Sequence, residues 1–273
     1  MTGRFERVVN YTILSVFSLV ALVPLVLVMI TALHRPGDVT GGFSFPSSLH
    51  FDTFVEAWNR GHFSSYLRSS AIVVVAVVLA TSVFSVLAGY AFGTMRFPLS
   101  GPLFYLLLAG IIVPFESMVV PLYYDFRSLG LTDTYWALIL PQIGLSVSFG
   151  TFWMRAYFRS VPRELVEAAR MDGASTLRTL VRVLAPMGRP AIVTMMLVVF
   201  MWTWNEFLLA LVMVANESLR TAPLGLSYFQ GRYGADIASL SAASVIVALP
   251  VVALYLFLQR HFIAGMLGGA LKQ

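Results

Sequence analysis

Six long apolar runs constrain this chain more than any other feature of its sequence. They lie at about residues 8–33, 67–95, 101–122, 134–155, 190–214 and 236–259. Each is near or above the ~20 residues that an α-helix needs to cross the hydrocarbon core of a bilayer. Backbone amides find no water there, so a spanning segment pairs them internally as a helix. The sequence therefore predicts an all-α polytopic membrane protein with six transmembrane helices.

The composition supports one transmembrane domain over residues 1–273. Of the 273 residues, 58% are hydrophobic and only 11% are charged, against about 25% charged in a soluble globular domain. No stretch between the runs has the composition of a separate soluble domain. Pro114 and Pro121 are expected to interrupt regular helix around the end of the third run, because proline lacks the N–H that a helix needs.

The residue inventory excludes several classes of enzyme. The single lysine, Lys272, is followed by Gln273, so the phosphate-binding pattern GxxxxGK[ST] cannot occur and the chain cannot be its own P-loop ATPase. Without cysteine there is no thiolate zinc site and no cysteine nucleophile. The four histidines are scattered, and neither HExxH nor GxSxG occurs. We predict a protein that is not an enzyme and needs no metal or cofactor.

The charges predict the orientation in the membrane. If the N-terminus is cytoplasmic and six spans alternate, cytoplasmic segments hold 12 of the 18 Lys and Arg residues but only 4 of the 13 acids. An excess of Lys and Arg on the cytoplasmic side sets membrane topology. Both termini are therefore predicted to be cytoplasmic. The net charge of +5 is explained by a basic face beneath anionic headgroups, and no nucleic-acid partner is needed.

The longest cytoplasmic segment, about residues 160–188, has the pattern of a helical hairpin. The run from Glu164 to Asp172 consists of good helix formers, and Gly173 supplies the permissive backbone that ends a helix. Ser175 can cap a second helix. That helix carries an apolar stripe with i, i+3, i+4, i+7 spacing, at Leu177, Leu180, Val181 and Leu184.

Two interpretations of this hairpin remain open from the residues alone. The small side chains of Ala168 and Ala169 would let the surface of another protein approach the backbone closely. Glu167, Arg170 and Asp172 around them could orient such a partner through charged hydrogen bonds. Alternatively, an amphipathic hairpin could simply pack beneath its own bundle.

The spacing in the hairpin resembles a known family. Glu167-Ala168-Ala169, Gly173 six residues after the Glu and Pro186 nineteen after it resemble the EAA loop of ABC importer permeases. The string through Ser175 is similar to the carbohydrate-uptake branch. Two further stretches, Trp204–Ala210 and Gln259–Lys272, resemble the fifth span and C-terminal tail of the smaller permease subunit in maltose-type importers.

The resemblance implies a set of partners in a bacterial plasma (inner) membrane. Such permeases pair with a second, related permease, and each lodges its hairpin in a cleft of one of two ATP-binding subunits. An extracytoplasmic solute-binding protein delivers the carbohydrate at the outer mouth. Hydrolysis of ATP then moves sugar inward, which agrees with the missing P-loop in this chain.

The resemblance also implies roles for individual residues. The contacts with the ATP-binding subunit would come from the EAA loop, at Glu167, Ala168, Ala169, Asp172 and Gly173. Contacts of the C-terminal tail would come from Gly268 and Gly269. For Asp172, an ion pair inside the hairpin with Arg170 or Arg178 is an equally good expectation.

The substrate path has fewer signals. Glu206 is the only acid inside a span, which makes it and its neighbour Asn205 candidates for contact with the substrate. Trp202 and Trp204 beside them fit either an interfacial aromatic belt or a sugar-stacking surface. Glu116 could line an outer gate, but an interfacial acid is the favoured interpretation.

Two other functions compete with the importer. A proton- or sodium-coupled secondary transporter usually carries ionisable residues at mid-membrane and broken helices in repeated halves. Here five of the six spans have uninterrupted, uncharged centres, and no repeat is visible. A membrane scaffold without transport is the third alternative. Recovery of a nucleotide-binding partner would distinguish the importer from both. The identity of the sugar cannot be inferred from this chain.

Overall fold

The computed structural model describes residues 3–38, 44–231 and 234–270, with the backbone alone for residues 234, 235 and 260–270. The regular secondary structure within these ranges is helical except for one small antiparallel ladder, and turns and irregular segments connect the elements. In this ladder, β1 (Gln230–Gly231) pairs with β2 (Gly234–Ala235). The prediction of an all-α membrane protein is confirmed.

Within the described ranges, four helices are long and apolar enough to cross a membrane unaided. They are α1 (Arg4–Thr31), α3 (Phe63–Thr94), α6 (Tyr135–Ser160) and α13 (Ile237–Ala270). These helices match the first, second, fourth and sixth predicted runs. The candidate span in α13 covers Ile237–Gln259 of the described residues, and the helix itself continues to Ala270.

The third and fifth runs are not single straight helices. The third consists of α4 (Ser100–Ile112) and α5 (Phe115–Ser128), which meet at 96°. The residue before a proline is disfavoured in helical geometry, and Val113 before Pro114 is extended with ψ 122°. The interruption expected at Pro114 is thus observed, whereas the one expected at Pro121 is wrong because Pro121 lies inside α5.

The fifth run begins with α10 (Arg189–Trp204), which leaves the preceding segment Thr176–Met187 at 80°. The helix stops at Trp204 and resumes as α11 (Leu208–Met213). If α4 with α5, and Thr176–Met187 with α10, each count as one bent span, the described residues hold up to six candidate spans.

Shorter helices complete the described part of the chain. They are α2 (Asp52–Arg60), α7 (Arg163–Met171), α8 (Thr176–Thr179), a π-helix at Leu180–Leu184, α9 (Ala185–Met187), α12 (Ala222–Gly225), and 3₁₀ turns at Glu217–Leu219 and Leu226–Phe229. The predicted helix-turn-helix corresponds to α7, α8, the π-helix and α9.

The chain divides into two compact units. The first comprises Met1–Ser64 and Gly225–Pro250. Its polar interactions converge on Asp236, whose carboxylate accepts N–H groups from Gly37 at 3.2 Å and Ser239 at 3.1 Å and lies 3.3 Å from the guanidinium of Arg60. These bonds tie the loop after α1 and the short helix α2 to the start of α13.

The second unit, Ser65–Leu224 with Val251–Gln273, contains both candidate sites. One apolar core joins α3, α6, α10 and α11 through buried residues such as Val77, Leu138, Val199 and Leu209. Helices α3 and α6 approach very closely, because a Cβ at Gly89 would lie 2.5 Å from the Cβ of Met154. The assignment of the whole chain to one permease domain stays a prediction.

Candidate functional site

The turn of the hairpin is a Schellman motif built around Gly173. The N–H of Ala174 donates to the carbonyl of Ala169 at 2.9 Å, and the N–H of Gly173 donates to that of Arg170 at 2.9 Å. Gly173 has φ +77°, a left-handed conformation that L-residues rarely adopt. The predicted helix end at Gly173 is therefore observed, and two of the last carbonyls of α7 are satisfied.

The second half of the hairpin differs from the predicted α-helix. Ser175 caps it as expected, since its hydroxyl accepts the N–H of Arg178 at 3.4 Å. From Leu180 to Leu184, however, the backbone is a π-helix, with the N–H of Ala185 bonded to the carbonyl of Leu180. Pro186 lacks an N–H and so cannot close an α-helical bond back to Arg182, which favours the wider turn at this point.

The apolar side chains of this half of the hairpin do not all face the bundle. Leu180 and Leu184 are buried at 2% and 0% exposure, but Leu177 and Val181 are 61% and 58% exposed. The predicted four-residue stripe is therefore wrong for two of its members. The buried pair anchors the hairpin, and the exposed pair leaves apolar surface free on it.

The anchor of the hairpin is a second core. Leu180 and Leu184 pack with buried residues of three membrane helices, namely Tyr90, Met154, Phe158 and Met195. The hydroxyl of Tyr157 donates to the carbonyl of Leu184 at 3.1 Å. The base of the hairpin is thus held by α3, α6 and α10.

The residues predicted to contact an ATP-binding subunit lie on the exposed part of the hairpin. Glu167, Ala168, Asp172 and Gly173 are exposed, and Ala169 is half-buried. Met171 beside them is 88% exposed. Within the described part of the chain, Asp172 makes no ion pair with Arg170 or Arg178, so the alternative expectation for Asp172 is not met.

A cavity of about 720 Å³ lies elsewhere in the second unit. Its walls come from α5, α6 and the region around the end of α10. Its polar lining residues are Glu116, Gln142, Ser146, Thr203, Asn205 and Glu206, and its aromatic ones are Phe115 and Trp202. No cation is among its lining residues in the described ranges.

The break in the fifth span brings Asn205 and Glu206 to the cavity. The carboxylate of Glu206 accepts the N–H groups of Leu209 at 2.6 Å and Ala210 at 3.2 Å, and so caps α11. The amide of Asn205 donates to the carbonyl of Met201 at 2.8 Å and ends α10. The two candidate residues are thus brought together, but Glu206 already uses its carboxylate on the backbone.

The positions of Trp202, Trp204 and Glu116 differ from those expected from the sequence. Trp202 lines the cavity, whereas Trp204 is buried and stacks on Phe200 with centroids 5.6 Å apart, so it is neither belt nor cavity wall. Glu116, expected as an interfacial acid, lies on the cavity wall.

Three further residues of the cavity wall, Gln142, Ser146 and Phe115, were not predicted from the sequence. The signal for the first two was their polarity within the uncharged fourth run, where polar side chains usually face a bundle interior or a cavity. Gly268 and Gly269 of the tail lie in the last part of α13, outside the residues whose surroundings the structure describes.

Broken apolar spans around a cavity with a mostly apolar wall and a few polar side chains, together with an exposed helical hairpin, are the features of an integral-membrane permease. The comparisons identify the family. Residues 72–267 match the binding-protein-dependent transport system inner membrane components, and the chain belongs to this family.

Named relatives agree with this assignment. A probable ABC transporter permease protein of Bacillus subtilis, YurM, is 37% identical over 252 residues, covering 91% of this chain and 83% of the relative. The trehalose transport system permease protein SugB of Mycobacterium tuberculosis is 32% identical over 259 residues, covering 92% and 93%. Family membership argues against a secondary transporter and against a scaffold without transport.

A solved structure has the same fold. It is the crystal structure of a bacterial ABC transporter involved in the import of the acidic polysaccharide alginate. The match has a TM-score of 0.80 at 23% identity and covers 96% of this chain and 99% of the other.

Proposed function

We propose that this chain is a permease subunit of an ATP-driven importer that moves a sugar or oligosaccharide inward. The hairpin at residues 160–188 would dock into a separate ATP-binding subunit. The proposal is supported by the trehalose transport named for the relative in Mycobacterium tuberculosis and by the missing P-loop, which requires the motor to lie on another chain.

The observation that carries this proposal is that one side of the hairpin is buried in the bundle while the other exposes apolar side chains. Leu180 and Leu184 fix its base in the membrane bundle, while Met171, Leu177 and Val181 expose apolar side chains on an aqueous loop. Exposed apolar surface of this kind marks interaction sites. Glu167 and Asp172 flank it with charges, so a partner can be oriented as well as bound.

The assembly we propose has a second permease, two ATP-binding subunits and an extracytoplasmic solute-binding protein. The family description, a binding-protein-dependent system, supports the last of these. Helix α1 has no buried residue over its 28 residues, so its apolar surface must meet lipid or the second permease. Both termini would be cytoplasmic, and the tail at Gly268 and Gly269 would contact a partner on that side.

The cavity supports a carbohydrate as the transported molecule. Sugar hydroxyls can donate to the side-chain oxygens of four residues in its wall, namely Gln142, Asn205, Glu116 and Glu206. The two amides can also donate to sugar oxygens. The ring of Trp202 offers a flat apolar face against which a pyranose can pack. Asn205 and Glu206 would therefore belong to the substrate path.

The test is recovery of an ATP-binding subunit with the tagged chain from solubilised membranes, detected by photolabelling with azido-ATP. Ala168→Arg places a long cation on the exposed docking face, and Ala156→Arg makes the same change at an exposed position of α6 outside the hairpin. We expect normal membrane insertion of both variants and loss of the partner from Ala168→Arg alone. Equal recovery with both variants would contradict docking through the hairpin.

A further inference from the structure

The hairpin and the fifth span meet at a sharp bend, where the backbone at Gly188 lies against the ring of Tyr157. Helix α10 is bent by 80° away from the segment Thr176–Met187, and Gly188 is the residue between them. The carbonyl of Leu184 accepts two hydrogen bonds here, from the N–H of Gly188 at 2.9 Å and from the hydroxyl of Tyr157 at 3.1 Å. One carbonyl thus joins the end of the hairpin to α6.

Gly188 is required by this ring. A Cβ at position 188 would lie 2.6 Å from Cε1 and 2.8 Å from Cζ of Tyr157, which is too close for any side chain. The ring of Tyr157 also contacts the ring of Phe158 edge-on, with centroids 5.1 Å apart. Because the ring is held by the hydroxyl bond and by Phe158, it has little freedom to move aside.

Helix α10 runs from this bend to the cavity without interruption. Over 16 residues it extends roughly 24 Å at 1.5 Å per residue. Its far end carries Val198, Met201 and Trp202 of the cavity wall. A rotation of the hairpin that is transmitted through the bend would therefore move the wall of the cavity directly.

We propose that Tyr157 and Gly188 form a rigid joint that transmits displacement of the hairpin to α10. This inference rests on the proposed function, since it assigns the path by which nucleotide-driven movement of the hairpin reaches the substrate cavity. Both are positioning residues: neither contacts nucleotide or sugar, and each acts through α10.

Two small changes weaken the joint in different ways. Tyr157→Phe removes only the hydroxyl that bonds Leu184, and Gly188→Ala forces a methyl group against the ring. Tyr105→Phe is the matched control on an exposed tyrosine of α4. Gly101→Ala is the matched control at a helical glycine whose added Cβ meets no atom within 4 Å.

The readout is the reactivity of a cavity-wall cysteine in the intact complex. Val198→Cys introduces the only cysteine of this chain, and a maleimide dye reports its reactivity on this band after electrophoresis. The labelling rate is compared between nucleotide-free complex and complex trapped with ATP and vanadate. ATP hydrolysis and recovery of the ATP-binding subunit are measured in parallel, and no sugar is needed.

We expect both controls to keep the nucleotide-dependent change in labelling rate. Tyr157→Phe should reduce that change about fivefold, the effect of losing one hydrogen bond, while hydrolysis continues. Gly188→Ala should abolish it. If Gly188→Ala fails to assemble, Tyr157→Phe decides, because it adds no atom.

Three other results are distinguishable. If the wild-type chain recovers no ATP-binding subunit, the proposed function fails and this inference fails with it. If the wild-type complex responds to nucleotide and Tyr157→Phe responds equally, the proposed function stands and the joint is refuted. If Tyr157→Phe lowers recovery of the complex but the recovered complex responds fully, the contact serves assembly alone, which also refutes the joint.

Discussion

The turn at Gly173 gives a prediction whose magnitude follows from its geometry. Its φ of +77° is the left-handed conformation, and a Cβ added there meets no atom within 4 Å. Substitution of Gly173 therefore adds no steric clash, and its cost is conformational. Asn tolerates this conformation best, Ala less well, and the β-branched Val worst. The series Gly173→Asn, Gly173→Ala and Gly173→Val should grade the effect.

The expected cost for Ala is about 1–2 kcal/mol, the penalty of an L-residue in the left-handed region. The two bonds that close the turn, donated by Gly173 and Ala174, would open together. A penalty of this size raises the population of the open turn by about 5- to 30-fold. Asn should fall below this range and Val above it.

Hydrogen exchange of the Ala174 amide in the solubilised protein measures this opening, because local unfolding sets the exchange rate of a bonded amide. Gly101→Ala is the control, since its Cβ is also unobstructed but its φ is not positive. It should leave the Ala174 amide unchanged. Equal exchange rates in Gly173→Val and the wild type would refute the reasoning. An added side chain meets no atom at this position, so the left-handed backbone conformation is the sole source of the expected effect.

Three further predictions follow from the same structure. Glu206→Ala removes the cap of α11 and should lower the free energy of unfolding of the solubilised protein by about 0.5–2 kcal/mol in thermal melts. Glu206→Gln keeps an acceptor and should lose less, so equal losses would contradict the capping role. Burial raises the pKa of Asp236, just before α13, but bonds from Ser239 and Gly37 and the charge of Arg60 outweigh it and lower the pKa overall. The stability that this carboxylate contributes is therefore present above its unfolded pKa and is lost as pH falls through its lowered folded pKa. In thermal melts between pH 6 and about 3, the wild type should lose more stability than Asp236→Asn, and parallel curves would contradict this. For topology, Asn216→Cys should react with an impermeant maleimide outside intact cells and Ser175→Cys should not, and the reverse pattern would overturn the orientation.

The sequence predicts the hairpin well where a local rule decides the structure. Gly173 ends α7 because a Schellman turn needs a residue at positive φ, and Ser175 caps α8 because its hydroxyl accepts a nearby N–H. Both rules act within six residues. The same holds for the break before Pro114, which depends on one neighbour.

The prediction fails where more distant contacts decide. Regular 3.6-residue periodicity places Leu177 and Val181 on the anchored face, but packing against the membrane helices buries only Leu180 and Leu184. The cavity shows the same limit on a larger scale. Gln142 on α6 and Glu206 in the break after α10 are 64 positions apart, and no spacing rule connects residues that only the packing of α6 and α10 brings together.

Glu206 shows why charge alone is an incomplete guide to function inside a membrane. A lone acid in an apolar run is expected to bind a substrate or an ion, because burying it otherwise costs free energy. Here the backbone supplies the compensation, since the break after Trp204 frees the first N–H groups of α11 and the carboxylate binds two of them. The acid and the break therefore stabilise each other. The consequence for the cavity is that the side chain of Asn205, which donates to Met201, keeps its carbonyl oxygen free of bonds to the described residues. Each carboxylate oxygen of Glu206 already accepts one backbone N–H and has only its remaining lone pair for a sugar hydroxyl.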